Sequence, residues 1–585
     1  GKASGRAIVN NVLGGGTPDL RASLYVEDLA IQEGPLGDAN ITAHWDKEVD
    51  GISVSGRIID LYKVPDGLTG REKSVTGITT VGGWISPAKN DMRLDVSTLN
   101  TNASFLHGFL RGVFKEINGY VTGPVSIIGP LNNVNIIADA VPNINLRLRA
   151  TNVPYHIEGD TIRIRYAEKL SAPDTLYTAN LRNALSQDVY VCNGREAGGS
   201  WHSTFAYHGF RYIEVTGLPN ASAADFQALV VSDRMDETGH IETSDTILNK
   251  VLKNARWGIL SNYKGMPVDC PQRNERQPWL GDRTMGSLGE SFLFNNERLY
   301  TKWMRDICES QREDGVFSDV APAYWNYYND DVTWPAALPF GCEMLYRQYG
   351  NRQPIVDSYP YLKRWLNHLF DEYLADGVIT KDKYGDWCVP PEKPELIHSQ
   401  DPARQTDGSL ISTAYTIHIL DLMKEFAEMQ DLTADAAYWQ EQRTAMADAF
   451  NRKFLTVRHG TSVRPGHTLY PDSVFYGNNT ATANLLPLAF GLVPDDCREE
   501  VVKNVVTNII TTGNGHVTCG VIGISWLLRG LSDNGFSDVA YLLATNNSYP
   551  SWGYMADHGA TTIWELWNGD TADPAMNSGN HVMLL

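Results

Sequence analysis

The sequence predicts a multidomain protein in which a β-rich N-terminal region and a small β-sandwich precede an all-helical region. The chain has 585 residues, which exceeds one ordinary domain of about 50 to 250 residues. Apolar residues recur with a period of two in roughly the first third of the chain and with a helical period after it. The hydrophobic content of 42% is that of a globular protein able to bury large cores.

The first region, residues 1–160, is rich in Gly and Asn and contains many short runs in which apolar residues alternate with polar ones. In one such run Ile144, Leu146 and Leu148 share a face. A period of two is typical of half-buried strands. We therefore expect a β-rich domain over 1–160.

The second region, residues 161–240, continues the alternation with a higher density of aromatic residues. Ile162, Ile164 and Tyr166 lie on one face of the run TIRIRY. This pattern favours a compact β-sandwich that acts as an accessory domain.

The third region, residues 241–585, changes to a period of about 3.6 residues. Ile247, Val251 and Ile259 form one apolar stripe, and about eleven such helices follow one another. A ring of six inner and six outer helices would need one more. We therefore expect the last helix to be cut near Asn580.

Charge and cysteine usage exclude several classes of function. A net charge of −20 argues against nucleic-acid binding, which depends on cations that neutralise phosphates. No run approaches the roughly 20 apolar residues that span a bilayer. The seven cysteines form no CxxC pair, and no phosphate loop or zinc spacing is present. We expect neither a metal nor a cofactor.

The segment DCPQRNERQPWLGD, between Asp269 and Asp282, concentrates charged residues in a loop between two helices. Loops on a rigid scaffold often carry catalytic groups. Paired carboxylates are the groups that cleave a glycosidic bond. The alternative is a structural network of ion pairs that closes a helix end.

A second acidic and aromatic cluster, TTIWELWNGD, contains Glu565 between Trp564 and Trp567. Burial between indoles would raise the pKa of Glu565 and suit a general acid or base. The alternative is a helix whose tryptophans pack in the core.

Three other tryptophans, Trp334, Trp387 and Trp552, lie among Gly, Pro and Asp residues that are typical of loops. Indole rings in loops are suited to stacking against sugar rings. Ordinary core packing is the alternative for each of them, and for His581 as well.

The two clusters resemble the motifs DCPQRxER…W.GD and TTIWE.W of the α-L-rhamnosidases of glycoside hydrolase family 78. HVTCGVIG, SYPSWGYM and FAYHGFRYIEV also resemble blocks of that family, in the expected order. The resemblance covers about residues 162–585.

The resemblance implies an (α/α)6-barrel catalytic domain over 241–585 and an inverting hydrolase that releases terminal α-L-rhamnose from glycosides or polysaccharides. It implies that Glu275 is the general acid and Glu565 the general base. It further implies that the rhamnose ring is held by Asp269, Arg273, Trp279, Asp282, Trp334, Trp387 and His581. Two other functions remain open, namely another (α/α)6 glycosidase and an inactive homologue that binds sugar.

Residues 1–160 are similar in pattern to AsmA-like proteins, the translocation-and-assembly module of bacterial envelopes. That similarity implies a groove able to contact lipid. The alternative is a divergent accessory β-sandwich of the hydrolase. The chain starts at Gly1 and shows no signal peptide, yet the resemblance favours a periplasmic or secreted protein.

Overall fold

The computed structural model describes residues 2–10, 19–31, 34–65, 72–106, 114–131, 135–148, 154–157, 161–192, 200–458, 461–464, 467–470 and 473–584. These residues form two compact units. The first unit comprises 1–164, 187–203 and 214–223, and the second comprises 165–186, 204–213 and 224–585. The three-domain division expected from the sequence stays a prediction.

One large antiparallel sheet accounts for most of the first unit. Its strands follow the order β1-β2-β3-β4-β5-β6-β7-β9-β10, with β8 paired to β7. The register aligns apolar residues across neighbouring strands: Ile85 of β5 pairs with Ile52 of β4 and with Met92 of β6. The bounds are β1 Lys2–Asn10, β2 Asp19–Ile31, β3 Gly34–Asp46, β4 Gly51–Pro65, β5 Glu72–Ser86, β6 Asp91–Asn102, β7 Phe114–Gly129, β8 Asn135–Ala138, β9 Val141–Leu148 and β10 Pro154–Ile157.

Two small sheets follow in the chain, one of three strands in the order β14-β11-β15 and one of two strands, β12-β13. Their bounds are β11 Thr161–Ala167, β12 Lys169–Ala172, β13 Thr175–Tyr177, β14 Gln187–Val191 and β15 Tyr212–Thr216. A β-rich start to the chain is thus confirmed.

Helices dominate the second unit. Their bounds are α1 Thr246–Ser261, α2 Leu280–Leu293, α3 Glu297–Glu309, α4 Ala337–Tyr349, α5 Gln353–Tyr373, α6 Gly408–Glu428, α7 Thr433–Phe454, α8 Ala481–Ala489, α9 Arg498–Thr507, α10 Val521–Asp533, α11 Ser537–Thr545 and α12 Trp552–Asp557. Within the described ranges this makes twelve α-helices, against the expected count of about eleven. The expected start of a further helix at Asn580 was wrong, because residues 580–584 form bends and turns. Short hairpin strands join some of them: β16 Leu374–Ala375, β17 Val378–Ile379, β18 Leu455–Arg458, β19 Thr461–Arg464, β20 His467–Tyr470 and β21 Ser473–Tyr476.

The helices form two layers around a ring. Five of them, α2, α4, α6, α8 and α10, contact one another in sequence, and α10 returns to α2. The intervening helices α3, α5, α7, α9 and α11 pack against this circuit, and α1 packs against α11 and α12. Most of α6 is buried, whereas α7 buries one side, as inner and outer helices do. The two layers agree with the expected (α/α)6 barrel.

Local sequence explains where several helices begin. The side chain of Asp245 accepts a hydrogen bond from the backbone N–H of Leu248 at 2.8 Å, which caps α1. Asp407 caps α6 through Ser409 at 2.7 Å in the same way. Among the helices that the structure describes, none combines the length and the apolar character that a membrane span requires.

Candidate active site

All of the residues that form the site lie in the second unit. The loop from Asp269 to Trp279 connects α1 to α2 and is closed by its own hydrogen bonds. The backbone N–H of Asp269 donates to the carbonyl oxygen of Gln277 at 2.9 Å, and the N–H of Gln277 donates to Oδ1 of Asp269 at 2.6 Å. A rigid loop therefore presents Arg273 and Glu275 to the interior of the ring.

Arg273 is 1% exposed and joins the two acidic clusters. Its two terminal nitrogens donate to the two oxygens of Glu565, Nη1 to Oε2 at 2.7 Å and Nη2 to Oε1 at 2.8 Å. The same Nη2 lies 2.7 Å from Oε2 of Glu275. The planar fork of a guanidinium matches a carboxylate in this bidentate way. Both predicted catalytic carboxylates thus converge on one cation.

Glu565 is held by its own segment as well. The backbone N–H of Ser578 donates to Oε2 of Glu565 at 3.1 Å, and the N–H of Glu565 donates to the carbonyl oxygen of Ser578 at 3.0 Å. The flanking Trp564 and Trp567 are buried in the hydrophobic core. The two indoles therefore anchor the segment in the core, while the carboxylate of Glu565 contacts Arg273.

Opposite pKa shifts distinguish the two glutamates. Burial raises the pKa of Glu275, and the negative charge of Asp269 adds to this rise. Burial also works against ionisation of Glu565, but the positive charges of Arg273 and His581 outweigh it and lower the pKa of Glu565. The raised pKa expected for Glu565 was therefore wrong, because its partners are cations and hydrogen-bond donors rather than indoles alone.

His581 lies among three carboxylates. Its Nε2 is 3.6 Å from Oδ2 of Asp269 and 3.7 Å from Oε1 of Glu565, and its Nδ1 is 3.6 Å from Oδ2 of Asp282. Burial opposes protonation of the ring, but the charge of Glu565 and the other acids raises the pKa of His581 to about 9. His581 is therefore an imidazolium at neutral pH.

Two buried acceptors in this cluster make no hydrogen bond of ordinary length in the described part of the chain, and each has a ring nitrogen of His581 3.6 Å away. They are Oδ2 of Asp269 and Oδ2 of Asp282. Burial raises the pKa of Asp282 to about 7. A buried acceptor without a close donor is costly, so these two oxygens are suited to accept hydrogen bonds from a polar ligand.

Aromatic rings line the side of the site next to Glu275. Nε1 of Trp279 donates to Oε1 of Glu275 at 2.9 Å. The ring of Trp279 stacks on Tyr327 with centroids 5.6 Å apart and meets Tyr384 edge-on at 6.4 Å. Tyr384 in turn stacks on Trp334 at 4.2 Å. Trp279 and Trp334 thus belong to one aromatic wall, which they form with Tyr327 and Tyr384.

The remaining tryptophans behave differently. Trp387 is half-buried beside His398, with ring centroids 4.7 Å apart. Burial raises the pKa of the thiol of Cys388, the residue after Trp387, and the negative charges of Glu565 and Asp282 raise it further. The loop that contains Trp387 therefore lies near these two carboxylates. Trp552 begins α12 rather than lying in a loop, and its Nε1 donates to the carbonyl oxygen of Leu584 at 2.8 Å. The prediction of a loop position for Trp552 was wrong, because Trp552 is the first residue of a short helix that the side chain of Ser551 caps.

Two charged residues that sequence analysis missed reach the site from the segment around β11 to β13. Nη1 of Arg182 lies 2.9 Å from Oε2 of Glu275. Glu168 is buried, accepts from the backbone N–H of Gly579 at 3.1 Å and from Nδ2 of Asn180 at 3.0 Å. Neither residue belongs to a charged cluster in the sequence, so no local signal identified them.

Asp269, Cys270 and Glu275 direct possible metal ligands to a common point. Burial raises the pKa of the Cys270 thiol well above its usual range, which disfavours the thiolate that a metal requires. Arg273 already places positive charge 2.7 Å from Glu275 and 4.0 Å from Asp269. These donors suit the guanidinium better than a metal ion.

Comparison with protein families assigns two consecutive parts of the chain. Residues 236–584 match the model of the bacterial alpha-L-rhamnosidase 6 hairpin glycosidase domain. Residues 139–232 match the bacterial alpha-L-rhamnosidase concanavalin-like domain.

Curated relatives agree with the family models. An alpha-L-rhamnosidase of Streptomyces avermitilis is 32% identical over 513 residues, which cover 85% of this chain and 46% of the relative. One from Formosa agariphila is 30% identical over 433 residues, covering 72% of this chain and 44% of the relative. The chain therefore spans about half the length of these relatives.

Solved structures show the same fold. The Streptomyces avermitilis alpha-L-rhamnosidase complexed with L-rhamnose aligns with a TM-score of 0.64 and 27% identity, covering 97% of this chain and 51% of that one. The alpha-L-rhamnosidase from Dictyoglumus thermophilum aligns with a TM-score of 0.66 and 23% identity over 94% of this chain and 76% of that one. Alignments of this extent include most of residues 1–160. From its sequence matches and the site that they enclose, the chain belongs to the family of bacterial α-L-rhamnosidases.

Proposed function

We propose that the protein is an inverting glycoside hydrolase that releases terminal α-L-rhamnose from glycosides or polysaccharides. The observation that supports this most is the pair of carboxylates whose pKa values are displaced in opposite directions around Arg273. Environments that separate the pKa values of two acids assign one as acid and the other as base.

Glu275 has the properties of the general acid. Its raised pKa keeps more of it protonated near neutral pH, so it can donate a proton to the oxygen of the leaving group. Trp279 holds one of its oxygens at 2.9 Å, and this contact orients the carboxyl group toward the aromatic wall.

Glu565 has the properties of the general base. Its lowered pKa keeps it ionised, so it can accept a proton from the water that attacks the anomeric carbon. The Ser578 N–H and Arg273 fix both of its oxygens.

The separation of the two carboxyl groups bears on stereochemistry. Inversion needs about 6.5–9.5 Å between them, so that a water molecule fits. One nitrogen of Arg273 lies 2.7 Å from an oxygen of Glu275 and 2.8 Å from an oxygen of Glu565. These two oxygens are therefore closer than the inverting range. We propose that the bound sugar moves Arg273 away from one carboxylate and opens the space for water.

The rest of the cluster would bind the rhamnose hydroxyl groups. Asp269 and Asp282 offer buried oxygens that lie 3.6 Å from the ring nitrogens of His581, so a sugar hydroxyl could donate to either acid and accept from His581. The aromatic wall would face the apolar side of the ring.

The substrate would be a rhamnose-containing oligosaccharide or glycoside, and a periplasmic or secreted location stays a prediction. The large sheet would serve as an accessory domain. Lipid contact by residues 1–160 rests only on the similarity of their sequence pattern to AsmA-like proteins.

Hydrolysis of a panel of aryl glycosides tests the substrate, and proton NMR of the first product tests inversion. We expect α-rhamnoside alone to be cleaved and β-rhamnose to appear first. Glu275→Gln and Glu565→Gln should each lower turnover by about 10²–10⁴-fold, and circular dichroism should show that both variants are folded at the assay temperature. Glu565→Gln should also be less stable than wild type, because Arg273 loses its bidentate partner. Cleavage of another glycoside instead would favour a different (α/α)6 glycosidase. Rhamnose binding without hydrolysis would identify an inactive homologue.

A further inference from the structure

Arg182 contacts the proposed general acid from outside the helical ring. It follows a short 3-10 turn, Ala179–Leu181, in the segment after β13. Its Nη1 donates to Oε2 of Glu275 at 2.9 Å, and its Nη2 lies 3.2 Å from the sulfur of Met576. The guanidinium therefore bridges the loop that carries Glu275 and the turn that precedes Ser578.

The backbone of Arg182 is unusual. Its φ is 58° and its ψ is −122°, a conformation that glycine adopts far more readily than arginine. Strained residues of this kind persist where the surrounding structure fixes them, often at functional sites. Asn180, two residues earlier, is fully buried and donates to Glu168, and this contact anchors the turn.

The contacts of Glu275 are divided between its two oxygens. Oε2 receives two guanidinium nitrogens, from Arg273 at 2.7 Å and from Arg182 at 2.9 Å. Oε1 receives only the indole N–H of Trp279 among the described contacts. An oxygen in contact with two guanidinium groups is the poorer site for a proton. The proton of the acid form therefore belongs on Oε1, which faces the aromatic wall.

We propose that Arg182 is a positioning residue that selects Oε1 of Glu275 as the proton-donating oxygen and makes this carboxyl group a stronger acid. This inference rests on the proposed function, because it needs Glu275 to be the general acid. Arg182 touches the acid rather than the sugar, so it acts through Glu275.

The charge of Arg182 opposes the rise in the pKa of Glu275 that burial causes. The charged or titratable groups with a described interaction with Glu275 are Asp269, Cys270, Arg273, Asp282 and Glu565 together with Arg182, and the imidazolium of His581 lies in the same cluster beside Asp269 and Glu565. Loss of Arg182 leaves Arg273 as the one cation in direct contact with Glu275 among the described residues. The pKa of Glu275 should then rise further, and the proton should be given up less readily.

The test compares Arg182→Met and Arg182→Lys with wild type on two α-rhamnosides, one with a nitrophenyl leaving group and one with an alkyl leaving group. A general acid must be protonated, so the rate falls as pH rises through its pKa. We expect Arg182→Met to shift this alkaline limb to higher pH. Its kcat on the alkyl substrate should fall by about 10²-fold, and by less than about tenfold on the nitrophenyl one, since a good leaving group needs less protonation. Arg182→Lys keeps the charge and should hold the limb near that of wild type.

Two controls separate structural damage from the proposed role. Arg347→Met removes a half-exposed arginine of α4 that pairs with Glu425 on α6, and it should leave both rates and the limb unchanged. Thermal unfolding shows whether each variant folds. The proposal is overturned if folded Arg182→Met keeps the alkaline limb of its pH–rate profile at the wild-type pH and loses kcat equally on both substrates.

An infrared titration of the carboxyl groups gives a second measurement that does not depend on turnover. The difference between each protein and its Glu275→Gln counterpart isolates Glu275, and its pKa should be higher in Arg182→Met than in wild type. An unchanged pKa of Glu275 overturns the role of Arg182. An inactive wild type with the expected shift would instead contradict the proposed function while supporting the contact.

Discussion

Arg273 donates to both oxygens of Glu565, at 2.7 and 2.8 Å, although 292 residues separate the two in sequence. Both side chains are almost completely buried. A buried guanidinium and a buried carboxylate stabilise each other only as long as both are present, because a remaining partner would be an uncompensated charge. This pair therefore holds the loop after α1 against the segment after α12.

Removal of the guanidinium should be costly to the fold. We expect Arg273→Met to lower the free energy of unfolding by about 3–5 kcal/mol, because Glu565 keeps its charge without its main partner. Denaturant unfolding measures the loss. Arg347→Met breaks an exposed pair with Glu425 and should cost no more than about 1 kcal/mol. Equal losses in the two variants would contradict the importance of the buried pair.

Stability should depend on the ionisation of His581. The pKa of His581 is raised to about 9 in the folded protein from about 6.5 in an unfolded chain. The folded state therefore holds the proton more tightly, and the stabilisation is complete below about pH 6.5 and disappears as pH rises through about 9. We expect the free energy of unfolding to fall over this range by on the order of 1–3 kcal/mol. His581→Gln should flatten that slope, and an unchanged slope would count against the assignment.

Glu168 should show the opposite dependence. Burial raises its pKa to about 7, so the folded state favours the neutral acid and loses stability as pH rises from about 4.5 to about 7. Glutamine keeps an acceptor oxygen for Gly579 and Asn180 but cannot ionise. We expect the free energy of unfolding of Glu168→Gln, relative to that of wild type, to be higher at pH 8 than at pH 5. Unfolding at both pH values measures this, and the same difference at both would refute it.

Two glycines of α2 provide a matched pair. A Cβ atom on Gly281 would lie 2.1 Å from the ring of Trp334, whereas one on Gly289 would meet nothing within 4 Å. We expect Gly281→Ala to cost about 1–3 kcal/mol and to raise KM by moving Trp334. Gly289→Ala should stabilise the exposed helix position by about 0.5–1 kcal/mol. Unfolding and kinetics on both variants check this, and a harmless Gly281→Ala would show that Trp334 has room to move.

Much of the fold could be predicted because its signals are local. The alternation at Ile144, Leu146 and Leu148 lies in β9, and the stripe from Ile247 to Ile259 lies in α1. Trp552 was expected in a loop, because the six residues of α12 are too few to show a period of 3.6 residues. Helix positions thus followed from periodicity wherever a helix was long enough to repeat it.

The site was less accessible to sequence reasoning, because its properties come from distant contacts. The clusters around Glu275 and Glu565 were recognisable from their charge density. The direction of the Glu565 pKa was not, because it depends on Arg273. Arg182 is a single arginine whose role arises from a backbone conformation and from one contact across 93 residues, and neither has a local pattern.

The pairing of Arg273 with Glu565 also has a consequence for biosynthesis. A ribosome that adds about 5–20 residues per second needs tens of seconds to pass from one member of the pair to the other, which is 292 residues later. Over that interval the loop after α1 carries charges that have no counter-ions from the late segment, so this part of the nascent chain cannot yet be dehydrated. The helices that are synthesised first therefore stay exposed to solvent, or bound to a chaperone, until the segment with Glu565 has been synthesised.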